Sequence, residues 1–531
     1  MRIFQRQNIA AALISSILLL MLFPPTAQMQ IPKSEKSTGA NVPPPFPIKR
    51  RENREFWYQD GRNAVARLKQ QSGKLKRAKN VILFIGDGMG VTTITAARIL
   101  EGQLRGESGE ENQLSFEQFP NVALSKTYSA NQQTSDSAPT MTAMVTGAKT
   151  KDGILSVDQN VVRGDYKSVK NNALPTILEM AEQKGLSTGV VTTARLTHAT
   201  PGACYAHVAD RDWEADSNLP QDARENNFAD IARQLIEFPY GDGLEVALGG
   251  GRTKFLPNSI SDPEYPEKKG ERLDKRDLTA EWTRKYQNSN YVWNKQQFDA
   301  IDAKKTKHLL GLLEPSHMKY EHDRAKDKAG EPSLSEMTSK AIDVLSNNKK
   351  GYFLMVEAGR IDHAHHEGNA YRALTDAVEL SNAVRTAISK VNLKDTLVIV
   401  TADHSHVFTL AGYPTRGNNI LGLVRSNDEK GNVDDRYDLD KNGLPYTTLG
   451  YYNGRGARPN PRPDLTNVNT TAPDYKQEAT IPLTDETHGG EDVAIFATGA
   501  SAELFRGVME QNWIFHAMRE ALQLPPVGAN R

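Results

Sequence analysis

Short apolar runs recur along this chain, and segments with helical patterning separate them. The runs fall at 81–85, 188–192, 244–248, 352–356, 396–400 and 493–496. Strands that are apolar along their whole length are typical of a parallel sheet covered by helices on both faces. The alternation therefore predicts an α/β fold, a three-layer sandwich with a large, mostly parallel central sheet.

Two regions lack this alternation. Residues 255–335 are charged and interrupted by proline, and residues 411–482 are rich in Gly, Asn, Tyr and Pro. We interpret both as insertions at the rim of the sheet. The second is expected to form a loop-rich cap over a functional site at that rim. The folded domain is then expected to span 51–525.

The N-terminus has the features of an export signal. Two arginines precede the apolar run at 9–23, and two prolines follow it. The run is shorter than the about 20 residues of a membrane span, which favours a signal peptide at 1–28 over an uncleaved membrane anchor. Residues 29–50, rich in Pro, Ser and Lys, predict a flexible linker. We expect a periplasmic or extracellular protein with no stable membrane span after processing.

Charge and cysteine content narrow the possibilities further. The 65 Lys and Arg residues balance 65 Asp and Glu residues, so the chain lacks the long-range positive field of a nucleic-acid binder. Cys204 is the single cysteine, which excludes an intrachain disulfide. We predict that Cys204 is a small buried hydrophobic residue and not a nucleophile.

Acidic and imidazole side chains follow three of the predicted strands. Asp87 comes after 81–85, Glu357 after 352–356, and Asp403 with His404 after 396–400. Since ligand sites form at the carboxyl ends of parallel strands, we expect these four side chains to converge. Taken singly, each has a simpler interpretation: Asp87 as a turn residue, and His404 as a cap on a strand end.

The segment 357–366 concentrates further ligand types. It holds two acids and three histidines within ten residues. Asp362 and His366 are four residues apart, so on a helix they share a face and can bind one ion. His488 completes the set. The alternative for this segment is a solvated polar helix start. Imidazoles with carboxylates suit zinc, whereas oxygen-only donors such as Asp87, Glu357 and a threonine suit magnesium.

Ser137 is the candidate nucleophile. It precedes Pro139, a residue suited to the first turn of a helix. Ser137 could be a plain helix N-cap. Beside metal ligands, however, the same position would present a hydroxyl where helix N–H groups face an incoming phosphate.

Taken together, these motifs resemble the alkaline phosphatase family. Gly-Asp-Gly-Met-Gly begins at Gly86, Asp-Ser-Ala at Asp136, Glu-x4-Asp-x3-His at Glu357 and Thr-Ala-Asp-His at Thr401. The resemblance covers about 53–525 and is strongest to the animal-type branch. It implies hydrolysis of phosphate monoesters at alkaline pH through a phosphoserine. A phosphodiesterase or sulfatase of the same superfamily, or a non-catalytic metal- or phosphate-binding protein, is the alternative.

The resemblance also implies a role for each site residue. The first zinc would be bound by Asp362, His366 and His488, the second by Asp87, Asp403 and His404, and magnesium by Asp87, Thr200 and Glu357. Arg211 would clamp the phosphate, and His198 and His363 would act through water. A calcium site would use Glu264, Glu314, Glu331 and the carbonyl of Leu313. A homodimer is expected.

Overall fold

The computed structural model describes residues 52–72 and 75–527. The predicted signal peptide at 1–28 and linker at 29–50 lie outside these residues. Among the described residues, each helix is too short or too polar to span a membrane.

The described strands are as follows. They are β1 (Asn80–Gly86), β2 (Asn121–Lys126), β3 (Ser187–Arg195), β4 (Val246–Gly250), β5 (Ser289–Val292), β6 (His308–Leu312), β7 (Tyr352–Ala358), β8 (Thr396–Ala402), β9 (Ser405–His406), β10 (Phe408–Leu410), β11 (Leu449–Gly454), β12 (Ala479–Pro482), β13 (His488–Gly489), β14 (Val493–Gly499) and β15 (Gly507–Glu510).

The helices of the same part of the chain follow. They are α1 (Arg54–Ser72), α2 (Val91–Leu104), α3 (Ser137–Thr146), α4 (Ile177–Gln183), α5 (Ala199–Gly202), α6 (Gln221–Glu225), α7 (Ile231–Glu237), α8 (Arg252–Phe255), α9 (Leu278–Lys285), α10 (Lys295–Asp299), α11 (Leu334–Leu345), α12 (Arg360–His366), α13 (Ala370–Lys390) and α14 (Trp513–Leu522).

Ten strands form the central sheet, in the order β15-β2-β14-β8-β1-β7-β3-β4-β6-β5. Of these strands, β14 alone runs against its neighbours, and the other pairs are parallel. The predicted α/β fold with a mostly parallel sheet is therefore confirmed. We call the edge where the parallel strands end the carboxyl edge, and the edge where they begin the amino edge.

The apolar strands are buried on both faces, as their composition predicts. In β1, Val81, Leu83 and Ile85 pack into one core cluster, while Ile82 and Phe84 pack into another on the opposite face. Residues of α1, α3, α4, α7 and α14 cover the first face. Residues of α2, α11 and α13 cover the second. Both core layers meet on this sheet, which holds its carboxyl edge rigid.

The region 255–335 differs from the predicted insertion. Strands β5 and β6 lie in it, yet they extend the central sheet beyond β4. The run His308–Leu312 is buried along its whole length. Charged residues flank this run, so its sequence did not indicate a buried strand. In the region 411–482, β11 and β12 form a three-stranded sheet with β10, separate from the central one.

The single cysteine behaves as predicted. Cys204 is fully buried, and burial raises the pKa of its thiol above the ordinary value. The thiol is therefore a packing group.

Candidate active site and metal centre

Three neighbouring strands bring the predicted acids together at the carboxyl edge. Strand β1 lies between β7 and β8, with Ile85 opposite Glu357 and Gly86 opposite Ala402. Asp87 and Asp403 each follow the last residue of a strand, so both emerge beside Glu357. All three carboxylates are fully buried. The predicted convergence is present.

A cluster of imidazoles surrounds Asp362. Oδ1 of Asp362 lies 3.3 Å from Nε2 of His366, 3.3 Å from Nε2 of His488 and 2.9 Å from Nε2 of His406. Their ligand atoms all lie within 4.8 Å of one another. We call Asp362, His366, His406 and His488 the imidazole cluster. Because Asp362 and His366 are both on α12, the predicted four-residue spacing does place them together.

Backbone carbonyls hold two of these imidazole rings by the nitrogen that points away from the cluster. Nδ1 of His366 donates to the Glu486 carbonyl at 2.6 Å, and Nδ1 of His488 donates to the Ser135 carbonyl at 2.8 Å. A carbonyl can only accept, so each Nδ1 carries a proton and each Nε2 is turned toward the cluster. Such outer hydrogen bonds are typical of metal-binding histidines.

His406 was missed by the sequence analysis, although its alternation with His404 along a short extended segment is a usable signal. Burial lowers its pKa, but the carboxylates of Glu486 and Asp362 raise it to about 10. Nδ1 of His406 lies 2.5 Å from Oε2 of Glu486. A charged His406 therefore holds Asp362 in place.

His404 lies between two carboxylates and a serine. Its Nε2 is 3.4 Å from Oδ1 of Asp87, 3.3 Å from Oδ2 of Asp403 and 3.2 Å from Oγ of Ser137. Burial lowers the pKa of His404 well below its ordinary value, so the ring is neutral. A neutral imidazole beside two carboxylates is a suitable ligand set for zinc.

A group of buried oxygens lies close to Ser137. Buried oxygens of Asp87, Thr200, Glu357 and Asp403 lack hydrogen-bond partners within the described part of the chain. Burial and the neighbouring carboxylates raise the pKa of Asp87 well above its ordinary value. Burial is also the main cause that raises the pKa of Asp403 to about 6 and that of Glu357 to about 7. Unsatisfied buried oxygens of this kind are costly unless a cation binds them. The donor set fits a hard divalent ion.

Ser137 is the first residue of α3, and it is not the N-cap. Asp136 is the N-cap, and its carboxylate accepts the Ser137 N–H at 2.8 Å. The alternative of a plain capping serine is therefore wrong. Ser137 Oγ donates to Oδ1 of Asp87 at 3.4 Å, so the hydroxyl faces the acids at the start of a ten-residue helix.

Arg211 reaches the same helix start. One of its terminal nitrogens lies 2.5 Å from Oδ2 of Asp136, and the other donates to Nε2 of His198 at 3.0 Å. Asp136 was not predicted as a site residue. Burial raises its pKa, but the charges of Arg211 and the nearby histidines lower it below the ordinary value. The guanidinium is thereby held in position.

His198 and His363 lie side by side. Their ring centroids are 5.4 Å apart, and His317, which was not predicted, lies 4.1 Å from His363. Burial and the charge of Arg211 lower the pKa of His198 to about 3. Both predicted histidines are therefore at the edge of the site, and His198 is neutral.

The three acids that were predicted to bind calcium lie close together. Glu264, Glu314 and Glu331 are all buried, and Asp327, missed from the sequence, joins them. We call these four acids the rim cluster. Burial and neighbouring acids raise the pKa of Glu314 to about 8 and that of Glu331 to about 9. Nζ of Lys319 lies 3.2 Å from Oε1 of Glu314 and 3.7 Å from Oδ1 of Asp327.

Comparisons with known proteins identify the family and the fold. The family model described as "Alkaline phosphatase" matches residues 78–524. The tissue-nonspecific alkaline phosphatase of Gallus gallus is 45% identical over 491 residues, 91% of this chain and 92% of that protein. The alkaline phosphatase of Gadus morhua is 43% identical over 90% of this chain and 98% of its own length. The crystal structure of Thermus thermophilus alkaline phosphatase shares the fold, with a TM-score of 0.59, 24% identity and coverage of 86% and 95% of the two chains.

Proposed function

This chain belongs to the alkaline phosphatase family and hydrolyses phosphate monoesters with the aid of bound metal, and we propose that Ser137 is its nucleophile. The observation that carries this proposal is the position of Ser137 Oγ, 3.2 Å from Nε2 of His404 and 3.4 Å from Oδ1 of Asp87. No other hydroxyl in the described residues is seen at once beside this imidazole and this carboxylate.

The family resemblance implies three ions, and the donor types agree with them. Asp362, His366 and His488 would hold one zinc, and Asp87, Asp403 and His404 a second. Asp87, Thr200 and Glu357 offer oxygen alone, which suits magnesium. The unpartnered oxygens of Asp87, Thr200 and Glu357 support the last assignment. When bound, these ions lower the pKa of the serine hydroxyl and of water and offset charge on the leaving alcohol oxygen.

In the first step, Ser137 Oγ forms a bond to phosphorus as the bond to the alcohol oxygen breaks. Ser137 gives up its proton, the departing alcohol takes one, and a phosphoserine remains. In the second step water forms a bond to that phosphorus as the phosphorus–Oγ bond breaks, a proton from the water passes to Ser137 Oγ, and inorganic phosphate leaves. The N-terminal N–H groups of α3 favour the negative phosphoryl group next to Ser137.

Arg211 would bind the phosphoryl oxygens. Its guanidinium is planar and can donate to two oxygens at once. Asp136 and His198 hold it from two sides, at 2.5 Å and 3.0 Å. A clamp fixed in this way stabilises the transferring group without reorganisation.

His198 and His363 would position water around the buried oxygens of Asp87, Thr200 and Glu357. Because Arg211 can only donate, Nε2 of His198 accepts, and its buried Nδ1 has no partner in the described part of the chain. The free Nδ1–H is suited to a bridging water.

We expect activity to rise with pH. The metal-free site holds protons on Glu357 and Asp403 below about 7 and about 6, respectively, because burial raises both pKa values. Protons compete with metal for these oxygens, so metal retention increases as the pH rises through this range.

The rim cluster would bind calcium through Glu264, Glu314, Glu331 and the Leu313 carbonyl, with Asp327 as a further ligand. Four acids with buried side chains at one place support this assignment. Lys319 would have to withdraw its ammonium from Glu314 when the ion enters.

Export, with cleavage of residues 1–28, the boundaries of the linker and cap, and a homodimeric state remain predictions. They follow from the sequence patterns and the family, and they do not affect the chemistry at Ser137.

The test is the substitution Ser137→Ala in metal-loaded protein, assayed with a nitrophenyl phosphate monoester. We expect kcat to fall at least about a thousandfold because the nucleophile is lost. Ser135→Ala is the matched control, since Ser135 is equally buried but contacts His488 through its backbone carbonyl. Near wild-type hydrolysis by Ser137→Ala would refute the proposal. The diester and sulfate analogues, run in parallel, measure the preference for monoesters.

A further inference from the structure

Three acids meet at the amino edge of the sheet, away from Ser137. Glu182 lies near the end of α4, Glu245 directly precedes β4, and Asp242 lies in the turn before it. One carboxylate oxygen from each lies within 4.8 Å of the other two. Glu182 and Glu245 are 1% and 8% exposed, whereas Asp242 is open to solvent. We call these three residues the amino-edge triad.

Within the described part of the chain, the hydrogen bonds to the triad come from neutral groups. The hydroxyl of Thr188 donates to Oε1 of Glu182 at 2.6 Å, and its N–H donates to Oε2 of Glu245 at 2.6 Å. The hydroxyl of Ser187 donates to Oε1 of Glu245 at 2.7 Å. Among the described residues, none forms an ion pair with any triad member. Three adjacent carboxylates therefore stand without a balancing positive charge.

Two other buried acids of this chain, by contrast, are each paired with an arginine. Oδ2 of Asp262 lies 2.6 Å from the guanidinium of Arg252, and Oδ2 of Asp230 lies 3.0 Å from that of Arg272. His308, the nearest ring nitrogen base, does not serve the triad in this way. Its Nδ1 donates to the Leu244 carbonyl at 2.8 Å, and burial lowers its pKa.

Two buried polar atoms near the triad lack partners. Oε2 of Glu182 and the hydroxyl of Tyr286 make no hydrogen bond in the described part of the chain. Tyr286 is only 8% exposed, and the negative charges of Glu182, Asp242 and Glu245 all act on its hydroxyl. The ring is fixed, because it stacks on His308 with centroids 4.1 Å apart.

Both orphan atoms lie under the turn that carries Asp242. A methyl group added at Gly241 would lie 2.1 Å from Oε2 of Glu182, and one added at Gly243 would lie 2.2 Å from the Tyr286 hydroxyl oxygen. The two glycines also have positive φ angles of 56° and 88°. The turn thus leaves room for these oxygens and directs Asp242 over them.

We propose that Glu182, Asp242 and Glu245, with the hydroxyl of Tyr286, bind one divalent cation of the oxygen-preferring class, such as calcium. The donors are all oxygens, which disfavours zinc. The charge of the ion offsets carboxylates that would otherwise repel one another in a buried place. Exposed Asp242 provides the entry from solvent.

The alternative is a proton shared between Glu182 and Glu245. Burial, with the charges of neighbouring acids, raises their pKa values to about 9 and about 8. A shared proton would relieve the repulsion between these two groups, but it leaves Asp242 and the Tyr286 hydroxyl without a role.

Calcium binding by the zinc- and magnesium-loaded protein tests the proposal. Equilibrium dialysis with radioactive calcium would compare the wild type with Asp242→Asn and with the control Asp222→Asn, an exposed acid on α6. We expect Asp242→Asn to weaken one class of calcium site at least tenfold and to reduce the calcium-induced rise in Tm, while Asp222→Asn changes neither. Because Asp242 is exposed, its substitution is not expected to prevent folding.

Calcium bound at the rim cluster contributes equally to all of these measurements, since both variants leave that cluster unchanged. A second variant, Glu182→Gln with Glu245→Gln, should lose the same class of site entirely. Identical calcium stoichiometry and affinity in wild type and Asp242→Asn would overturn the proposal and favour the shared proton.

Discussion

The catalytic cluster, by which we mean the imidazole cluster together with Asp87, Glu357, Asp403 and His404, gathers buried acids, as does the rim cluster, but the two balance the charge differently. In the catalytic cluster, Asp362 faces imidazoles whose outer nitrogens are held by Glu486 and Ser135. In the rim cluster, the ammonium of Lys319 already lies 3.2 Å from Glu314. The first arrangement is organised around an ion before it binds. In the second, the ammonium of Lys319 lies within reach of two of the acids, Glu314 and Asp327, so a metal must displace it.

This difference predicts that metal removal has the largest effect at the catalytic cluster. A chelator should reduce hydrolysis at least about a thousandfold, because the chain's own residues supply little of the charge stabilisation. Zinc with magnesium should restore the activity measured on a nitrophenyl monoester, and calcium alone should not. Recovery with calcium alone would mean that the two clusters have been assigned the wrong way round.

Arg211 is expected to have the next largest effect. Arg211→Ala should lower kcat/KM by about a hundredfold, because it removes the donors that face the phosphoryl group. Arg211→Lys should recover only part of this, since an ammonium cannot donate in the planar paired geometry. Steady-state kinetics and inhibition by inorganic phosphate measure both effects.

The control for Arg211 is Arg163→Ala, which removes a half-exposed guanidinium paired with Asp210. Equal kcat/KM for the two alanine variants would exclude a clamp at Arg211.

A substitution at His406 tests whether zinc binding depends on the charged group that holds Asp362. His406→Gln removes the charge that holds Asp362 at 2.9 Å, so zinc affinity should fall about 10- to 100-fold. Zinc retention during dialysis measures this directly. His322→Gln, at a ring that packs on Tyr371, is the control. Unchanged zinc retention in His406→Gln would show that Asp362 needs no such support.

Lys319 gives the smallest predicted effect, and it concerns the rim cluster alone. Lys319→Met keeps much of the side-chain volume but removes the competing ammonium, so calcium affinity should increase by up to about tenfold. Lys319→Arg keeps the charge and should show no gain. Calorimetric titration with calcium distinguishes the two variants. Weaker calcium binding by Lys319→Met would mean that Lys319 supports the site.

The sequence predicted the catalytic cluster well for a physical reason. Asp87, Glu357 and Asp403 follow strands whose apolar composition reveals their position, and parallel strands end at one edge. Asp362 and His366 are related by helical spacing. Residues that act through a neighbour, such as Asp136 and Glu486, carried no comparable pattern, because their partners are distant in sequence.

Loop-borne features were harder to predict. Asp327 and Lys319 reach the rim cluster through an irregular segment after β6, where neither strand nor helix period fixes a direction. Strands β5 and β6 were missed for a related reason. Strand β5 has only four residues and is only partly buried, and charged segments surround both strands. The amino-edge triad depends on a turn that brings Asp242 over Glu182, which spacing alone does not reveal.

The central claim is that the phosphoryl group passes through Ser137. Acid quenching of the metal-loaded enzyme during turnover of a phosphate monoester, followed by mass spectrometry of its peptides, tests this most directly. We predict phosphate on Ser137 and none on Ser135. Continued turnover with phosphate on another residue would contradict the account.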